Sequence, residues 1–236
     1  MTSSKKKKQR SAKQKRKGIS TAHILIVAGA AVLVVGLLVI LNTNRSQATM
    51  TDPITYETGV TLEGEPYKGS PDAPLQLVEY SDFLCGHCGN FADTIEVIGP
   101  DYVETGELQV IFRNYAFLAP ESIEAAQAVE CALDQGADKF WLYHDLLFAN
   151  RGTGISAYSN SRLKAYARDI GLDTRAFNQC LDSGVKLEAV QADKAEGESQ
   201  GVQATPTWFI NGQMVRGGVS ETELRQTLDS LLTQVP

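Results

Sequence analysis

Two cysteines three residues apart are the strongest chemical signal in this 236-residue chain. Cys85 and Cys88 enclose Gly86 and His87. If a helix begins at Cys85, its free backbone N–H groups and dipole favour the thiolate there, and His87 stabilises it further. Cys88, one turn into that helix, would face the core and attack a mixed disulfide. The spacing therefore favours thiol–disulfide exchange.

Two other interpretations of this pair are a purely structural disulfide and half of a zinc site. A zinc site would need a second closely spaced pair, whereas Cys131 and Cys180 lie 49 residues apart. We therefore expect neither a metal nor any other cofactor. Four cysteines allow three pairings, and the sequence alone does not choose between them.

The elements around the pair alternate between strand and helix patterns. Leu75 to Tyr80 is an apolar run that predicts a buried strand. From Cys85 onward, apolar residues recur at helical spacing until Gly99-Pro100, which would stop or kink the helix. Leu108 to Phe112 predicts a second strand, and residues 62–74 look like an approach loop. The dithiol thus lies between a buried strand and an amphipathic helix.

A long helical stretch separates these elements from a final hairpin and helix. Residues from about 119 to 200 show mostly helical spacing. Asn211-Gly212 then predicts a tight turn between strands at 207–210 and 213–216. Ser220 and Glu223 form a capping box before a leucine stripe. The predicted fold class is α/β, with a helical insertion.

The N-terminal region has a different composition. Residues 1–48 hold ten of the 22 basic residues and no acid, so 12 basic residues face all 28 acidic ones in the remainder. Residues 1–20 predict a basic cytoplasmic tail, 21–41 a transmembrane helix and 42–54 a tether. A cleaved signal peptide is the alternative, but its apolar core is usually shorter. The acidic composition after residue 48, which includes the domain at 55–236, argues against nucleic-acid binding.

Two motifs and the insertion together resemble the DsbA-like branch of the thioredoxin superfamily. The first runs from Glu79 through Cys88, as Glu-Tyr-Ser-Asp-Phe-Leu-Cys-Gly-His-Cys. The second runs from Thr205 through Gly212, as Thr-Pro-Thr-Trp-Phe-Ile-Asn-Gly. The resemblance covers about 55–236 and implies a thioredoxin fold with the helical insertion at about 119–200. The dipeptide Gly86-His87 departs from the family's Pro-His and resembles that of protein disulfide isomerases, which leaves the redox poise open.

The resemblance also implies roles for three residues outside the dithiol. Pro206 matches the family's cis-proline facing the two cysteines, which would leave the backbone of Thr205 free to pair with a substrate chain. An ordinary trans proline at a strand start is the alternative. Glu79 would be a buried proton carrier for Cys88, with a pKa raised by burial; otherwise it lies on the solvent face of its strand.

Relatives within this family are similar in having a second, non-catalytic disulfide, which implies a Cys131–Cys180 bridge between two helices of the insertion. A pair of buried free thiols is the alternative. The implied activity is an extracytoplasmic dithiol oxidase, monomeric and membrane-anchored, that passes the Cys85–Cys88 disulfide to exported protein thiols. A membrane quinone-linked partner of the DsbB or vitamin K epoxide reductase type would reoxidise it. A tethered reductase or isomerase, or a non-enzymatic binder of unfolded chains, remains an alternative.

Overall fold

The computed structural model describes residues 55–151 and 154–235. The predicted tail, transmembrane helix and tether at 1–54 lie outside the described residues. Within the described ranges, no helix has the length and apolar character needed to cross a bilayer.

Six strands form one sheet in the spatial order β1-β2-β4-β3-β5-β6. The strands are β1 (Thr58–Val60), β2 (Pro66–Lys68), β3 (Leu75–Ser81), β4 (Leu108–Asn114), β5 (Thr207–Ile210) and β6 (Gln213–Arg216). The central pair β3–β4 is parallel, with Glu79 beside Phe112, and the other neighbours are antiparallel. The parallel pair requires a crossover, which is the helix that carries Cys88.

The predicted approach loop at 62–74 was wrong in part, because it contains β2. This strand is three residues long, too short for its alternation to stand out in the sequence. It forms through pairing with β1 on one side and β4 on the other. Its existence therefore depends on segments distant in the chain, and the same pairing buries Lys68.

Helix α1 (Gly86–Tyr102) confirms the helical pattern that begins at the dithiol. The predicted inward positions Cys88, Phe91, Ile95 and Ile98 are all buried. The helix contains Pro100 and ends two residues later, so the Gly99-Pro100 signal lies one turn before the end rather than at it. Phe91 stacks on Trp208 of β5 with ring centroids 5.4 Å apart, which fixes α1 against the sheet.

In the described part of the insertion, the structure has five α-helices and a 3₁₀ turn at Ile155–Tyr158. The helices are α2 (Pro120–Leu133), α3 (Ala137–Ala149), α4 (Asn160–Asp169), α5 (Thr174–Ser183) and α6 (Leu187–Ser199). Phe140, Trp141, Tyr143 and Phe148 of α3 are buried in the main core. The helical insertion is thus confirmed, and one hydrophobic core joins it to α1 and the sheet.

The chain returns to the sheet through a hairpin and a last helix. Asn211 and Gly212 have φ values of 45° and 82°, which fits the predicted tight turn. Helix α7 (Glu221–Leu232) begins with the predicted capping box between Ser220 and Glu223. Leu224 and Leu228 of α7 are fully buried in the main core.

Candidate active site

The two cysteines of the pair are both buried, but only Cys85 keeps some exposed surface. Cys85 is the N-cap of α1 and Cys88 lies one turn in, with 9% and 0% of their surfaces exposed. Both are free thiols. The Cys85 N–H donates to the carbonyl of Asp82 at 2.9 Å, which closes a turn between the end of β3 and the helix. The sulfur of Cys85 is thus placed at the helix start, as the spacing predicts.

The surroundings of Cys85 strongly favour its thiolate. A hydrogen bond from the Cys88 side chain is the largest of the effects that lower the pKa of Cys85 to about 5. The Thr205 side chain and the backbone N–H groups of Cys88 and His87 act in the same direction. His87 itself is exposed. At neutral pH, Cys85 is therefore both a populated nucleophile and a good leaving group.

Cys88 has the opposite character. Burial raises its pKa, and so do the hydrogen bond it donates to Cys85 and the negative charge of Glu79. A protonated Cys88 needs a base before it can attack a mixed disulfide. The asymmetry assigns the two sulfurs to different steps, with Cys85 meeting the substrate and Cys88 acting from behind.

Glu79 is buried on β3, with only 2% of its surface exposed. The alternative of a solvent-facing carboxylate was therefore wrong. Burial raises the pKa of Glu79 to about 7, and the positive charge of Lys68 partly opposes this. One carboxylate oxygen, Oε1, has no hydrogen-bond partner in the described part of the chain. A carboxyl group that titrates near neutrality and interacts with both cysteines is suited to carrying a proton.

Lys68 is a residue of this region that the sequence analysis missed. It is 2% exposed, forms an ion pair with Glu96 of α1, and lies 4.7 Å from the ring centre of Trp141. Although burial lowers its pKa, the charge of Glu96 raises it above the usual range. A lysine in a Gly- and Pro-rich stretch has no sequence signal for burial, since only the pairing of β2 with β4 turns it inward.

The second motif meets the dithiol at Pro206. The Thr205–Pro206 peptide bond is cis, so the trans alternative does not hold in the structure. The Cys85 sulfur lies 3.5 Å from the Thr205 carbonyl oxygen, and the N–H of Gly217 donates to the Pro206 carbonyl at 2.8 Å. Residues 120 positions apart in the sequence therefore line one site.

The other two cysteines form a disulfide. Cys131 of α2 and Cys180 of α5 are joined, with their Cα atoms 5.8 Å apart. Free thiols at these positions were the alternative. Across residues 55–151 and 154–235, no group of three or more His, Cys, Asp or Glu side chains is arranged to hold a metal ion.

This fold and dithiol geometry can be compared with known proteins. A family model described as thioredoxin matches residues 61–230. The chain belongs to the thioredoxin family. Disulfide bond formation protein D of Bacillus subtilis is 26% identical over 184 residues, covering 73% of this chain and 79% of that protein. The crystal structure of oxidised BdbD from B. subtilis superimposes with a TM-score of 0.68 at 25% identity, over 75% of this chain and 98% of that one.

Two other matches differ in how much of their own length this chain covers. The alpha-DsbA1 structure of Wolbachia pipientis shares the fold, with a TM-score of 0.66 at 23% identity over 75% of this chain and 94% of that one. The Na(+)/H(+) antiporter NhaA of Herminiimonas arsenicoxydans is 31% identical over 178 residues, 75% of this chain but 27% of the antiporter. This chain thus spans about a quarter of that relative's length. The resemblance to DsbA-like proteins is confirmed.

Proposed function

We propose that this chain is a protein dithiol oxidase that passes the Cys85–Cys88 disulfide to exported proteins. The observation that carries the proposal is the position of Cys85 at the start of α1, where its sulfur lies 3.5 Å from the Thr205 carbonyl oxygen and its surroundings lower its pKa. A stabilised thiolate favours the reduced enzyme, so the oxidised enzyme readily gives its disulfide away. Relatives of similar length named for disulfide bond formation support this direction.

The reaction exchanges one disulfide for another. A substrate thiolate attacks Cys85 of the oxidised pair, forming a mixed disulfide and expelling the Cys88 sulfur, which takes a proton from Glu79. The second substrate thiolate then attacks the substrate sulfur of the mixed disulfide, and Cys85 leaves as a thiolate. Two electrons pass from the substrate to the enzyme, and the substrate gains one disulfide. The extended substrate pairs with the backbone at Thr205.

The redox equilibrium of the 236-residue chain in detergent with glutathione tests the direction of transfer. We expect a potential well above that of thioredoxin, about −270 mV. A value near or below that of thioredoxin would instead favour the tethered reductase. The variant Cys85→Ser should abolish oxidation of reduced substrate. If the chain were a non-enzymatic binder of unfolded chains, this variant would keep full activity.

We also propose that residues 21–41 anchor the domain on the outer face of the membrane. The basic tail before this apolar run, with only Arg45 close after it, supports an internal N-terminus. An anchor would hold the domain in one plane with a quinone-linked reoxidant of the DsbB or vitamin K epoxide reductase type.

Labelling of intact spheroplasts with a membrane-impermeant maleimide tests this topology. We expect the reduced chain to be labelled at Cys85 before lysis and to remain in the membrane after alkaline carbonate extraction. Labelling only after lysis, or release by carbonate, would contradict the anchor. The variant Cys85→Ser controls for the site of labelling.

A further inference from the structure

A buried serine accompanies the two groups that exchange a proton in the proposed reaction. Side chains two positions apart on a strand point to the same side, so Ser81 of β3 faces the same way as Glu79. Leu75 and Leu77 continue this row, and both belong to the core that also contains Cys88. The strand thus ends in a hydroxyl that points towards the core around the second cysteine.

The Ser81 hydroxyl is not used to hold the fold together. Its Oγ is buried and makes no hydrogen bond of ordinary geometry within residues 55–151 and 154–235, and the same is true of Glu79 Oε1. Burying a hydroxyl without a full hydrogen bond costs about 1–3 kcal/mol. Packing therefore does not account for a serine at this position, where an apolar side chain would avoid that cost.

The same hydroxyl acts on both reacting groups. Burial raises the pKa of Glu79 and of Cys88, and weak hydrogen bonding from Ser81 opposes the rise in each case. Glu79 acts on Cys88 through its negative charge, and the backbone of Asp82 also hydrogen bonds to Cys88. The Cys88 sulfur therefore lies at the end of β3, with Ser81 within reach of both the carboxyl and the sulfur.

The surroundings leave Glu79 as the proton source for Cys88. Glu79, Ser81 and Cys88 are 2%, 1% and 0% exposed, so water has little access to them. The charged groups that act on Glu79 are Lys68 and Cys85. Lys68 has a pKa above its usual range and keeps its proton, whereas Cys85 has a lowered pKa and holds none at neutral pH.

We propose that the Ser81 hydroxyl relays the proton between the Glu79 carboxyl and the Cys88 sulfur. This inference rests on the proposed function and adds a catalytic residue to the same site. When a substrate thiolate attacks Cys85, the disulfide bond breaks and its electron pair goes to the Cys88 sulfur. Ser81 gives its hydroxyl proton to that sulfur and takes the carboxyl proton of Glu79. The serine is regenerated, Glu79 becomes a carboxylate, and the steps run in reverse during reoxidation.

A hydroxyl is suited to this step because it has one proton to donate and lone pairs that accept another. The test uses the oxidised 236-residue chain in detergent and an excess of one reduced dithiol peptide. Rapid mixing, acid quenching and alkylation give the rate constant of the first turnover, which is divided by the thiolate fraction of the peptide at each pH. At pH 6, we expect Ser81→Ala to lower this constant about a hundredfold, the lower end of what general acid catalysis contributes.

The difference between the two chains should disappear as the pH rises. With a pKa of about 7, Glu79 is about 99% deprotonated at pH 9, so a hundredfold advantage falls to about one. Lys68 keeps its charge over this range because of its ion pair with Glu96, so Glu79 is the group that titrates. A serine with a purely structural role would slow the reaction to the same extent at both pH values.

Three further variants separate the relay from packing. Ser81→Thr keeps a hydroxyl and should retain most of the rate. Glu79→Gln has no carboxyl proton to give, so at pH 6 it should be as slow as Ser81→Ala, and the double variant should be no slower, since both act in one step. Ser122→Ala is the matched control, because this serine is also fully buried but lies on α2, and it should keep the full rate.

Each outcome decides a separate point. If the unaltered chain does not oxidise the peptide at either pH, the proposed function fails. If the unaltered chain oxidises it and Ser81→Ala is equally fast at pH 6, the proposed function stands and the relay is wrong. The relay is also overturned if Ser81→Ala is equally impaired at pH 6 and pH 9, if Ser81→Thr is as slow as Ser81→Ala, or if Ser81→Ala fails to fold.

Discussion

Replacing Cys88 by alanine is expected to raise the pKa of Cys85, whereas replacing it by serine should leave that pKa low. The largest effect that lowers the pKa of Cys85 to about 5 is the hydrogen bond from the Cys88 side chain. Alanine removes this donor, while serine keeps an O–H in the same place. Because residue 88 is fully buried, water cannot readily replace the missing donor.

The size of the change follows from the strength of one charge-assisted hydrogen bond. Such a bond contributes about 1.5–3 kcal/mol, which corresponds to a rise of roughly one to two pH units in the pKa. The thiolate stabilisation is fully present above the ordinary cysteine pKa and is lost as the pH falls through about 5. At pH 7, about two pH units above the lowered pKa, the thiolate stabilisation amounts to roughly 2.7 kcal/mol. This corresponds to about 60 mV of redox potential.

The pKa can be measured from the pH dependence of thiolate ultraviolet absorbance and of alkylation by iodoacetamide. Both variants retain a single thiol in the pair, so each titration reports Cys85 alone. If the pKa of Cys85 stays at about 5 in the alanine variant, the helix N–H groups alone suffice to lower it. If the pKa of Cys85 rises as far in the serine variant as in the alanine variant, the hydrogen bond from residue 88 does not lower it.

Three further predictions concern stability, each measured by denaturant unfolding of the reduced chain unless stated. Burial raises the pKa of Glu79 from 4.5 to about 7, so its charged form destabilises the fold increasingly between these values. Glu79→Gln should then be more stable than the unaltered chain by roughly 3 kcal/mol above pH 7, and this gain should vanish towards pH 4.5. Glu63→Gln, at an exposed carboxylate, is the control. An equal gain in the Glu79→Gln variant at both pH values would contradict the assignment. Cys131→Ala/Cys180→Ala removes a disulfide that spans 49 residues, so it should lower the unfolding free energy of the oxidised chain by about 4 kcal/mol. A loss below about 1 kcal/mol would mean that packing alone stabilises the insertion. Gly197→Ala should lower the unfolding free energy by about 1–3 kcal/mol, because the added Cβ would lie 2.9 Å from the Tyr80 ring. Gly99→Ala is the matched control, since its Cβ would meet nothing within 4 Å beyond the backbone of its own helix. Equal effects at the two glycines would refute the steric reason.

Much of the fold could be predicted because its signals are local. Apolar spacing along Cys88, Phe91, Ile95 and Ile98 marks the buried face of α1, and each of these residues is buried. Asn211-Gly212 and the Ser220 capping box likewise specify a turn and a helix start within a few residues. Such features depend on backbone preferences and on the 3.6-residue period, which a single sequence displays.

Other features of the site depend on pairing between distant segments. The strand β2 and the burial of Lys68 arise from pairing with β4, some 40 residues further on. The raised pKa of Glu79 depends on which face of β3 packs inward, and the buried Asp82 carboxylate accepts the N–H of Phe117, 35 residues away. A three-residue strand and an isolated aspartate carry no pattern that would reveal these contacts.

The sequence by itself determined the chemistry, namely a dithiol at a helix start next to a buried strand, with a helical insertion and a terminal hairpin. Only the tertiary structure decided the environment of that chemistry. It paired Cys131 with Cys180, brought the cis-proline loop to Cys85, and placed Lys68 and Glu79 in the interior. The physical reason is that nucleophile type and helix spacing are local properties. The pKa of a thiol, by contrast, is set by burial, charges and hydrogen bonds contributed from across the fold.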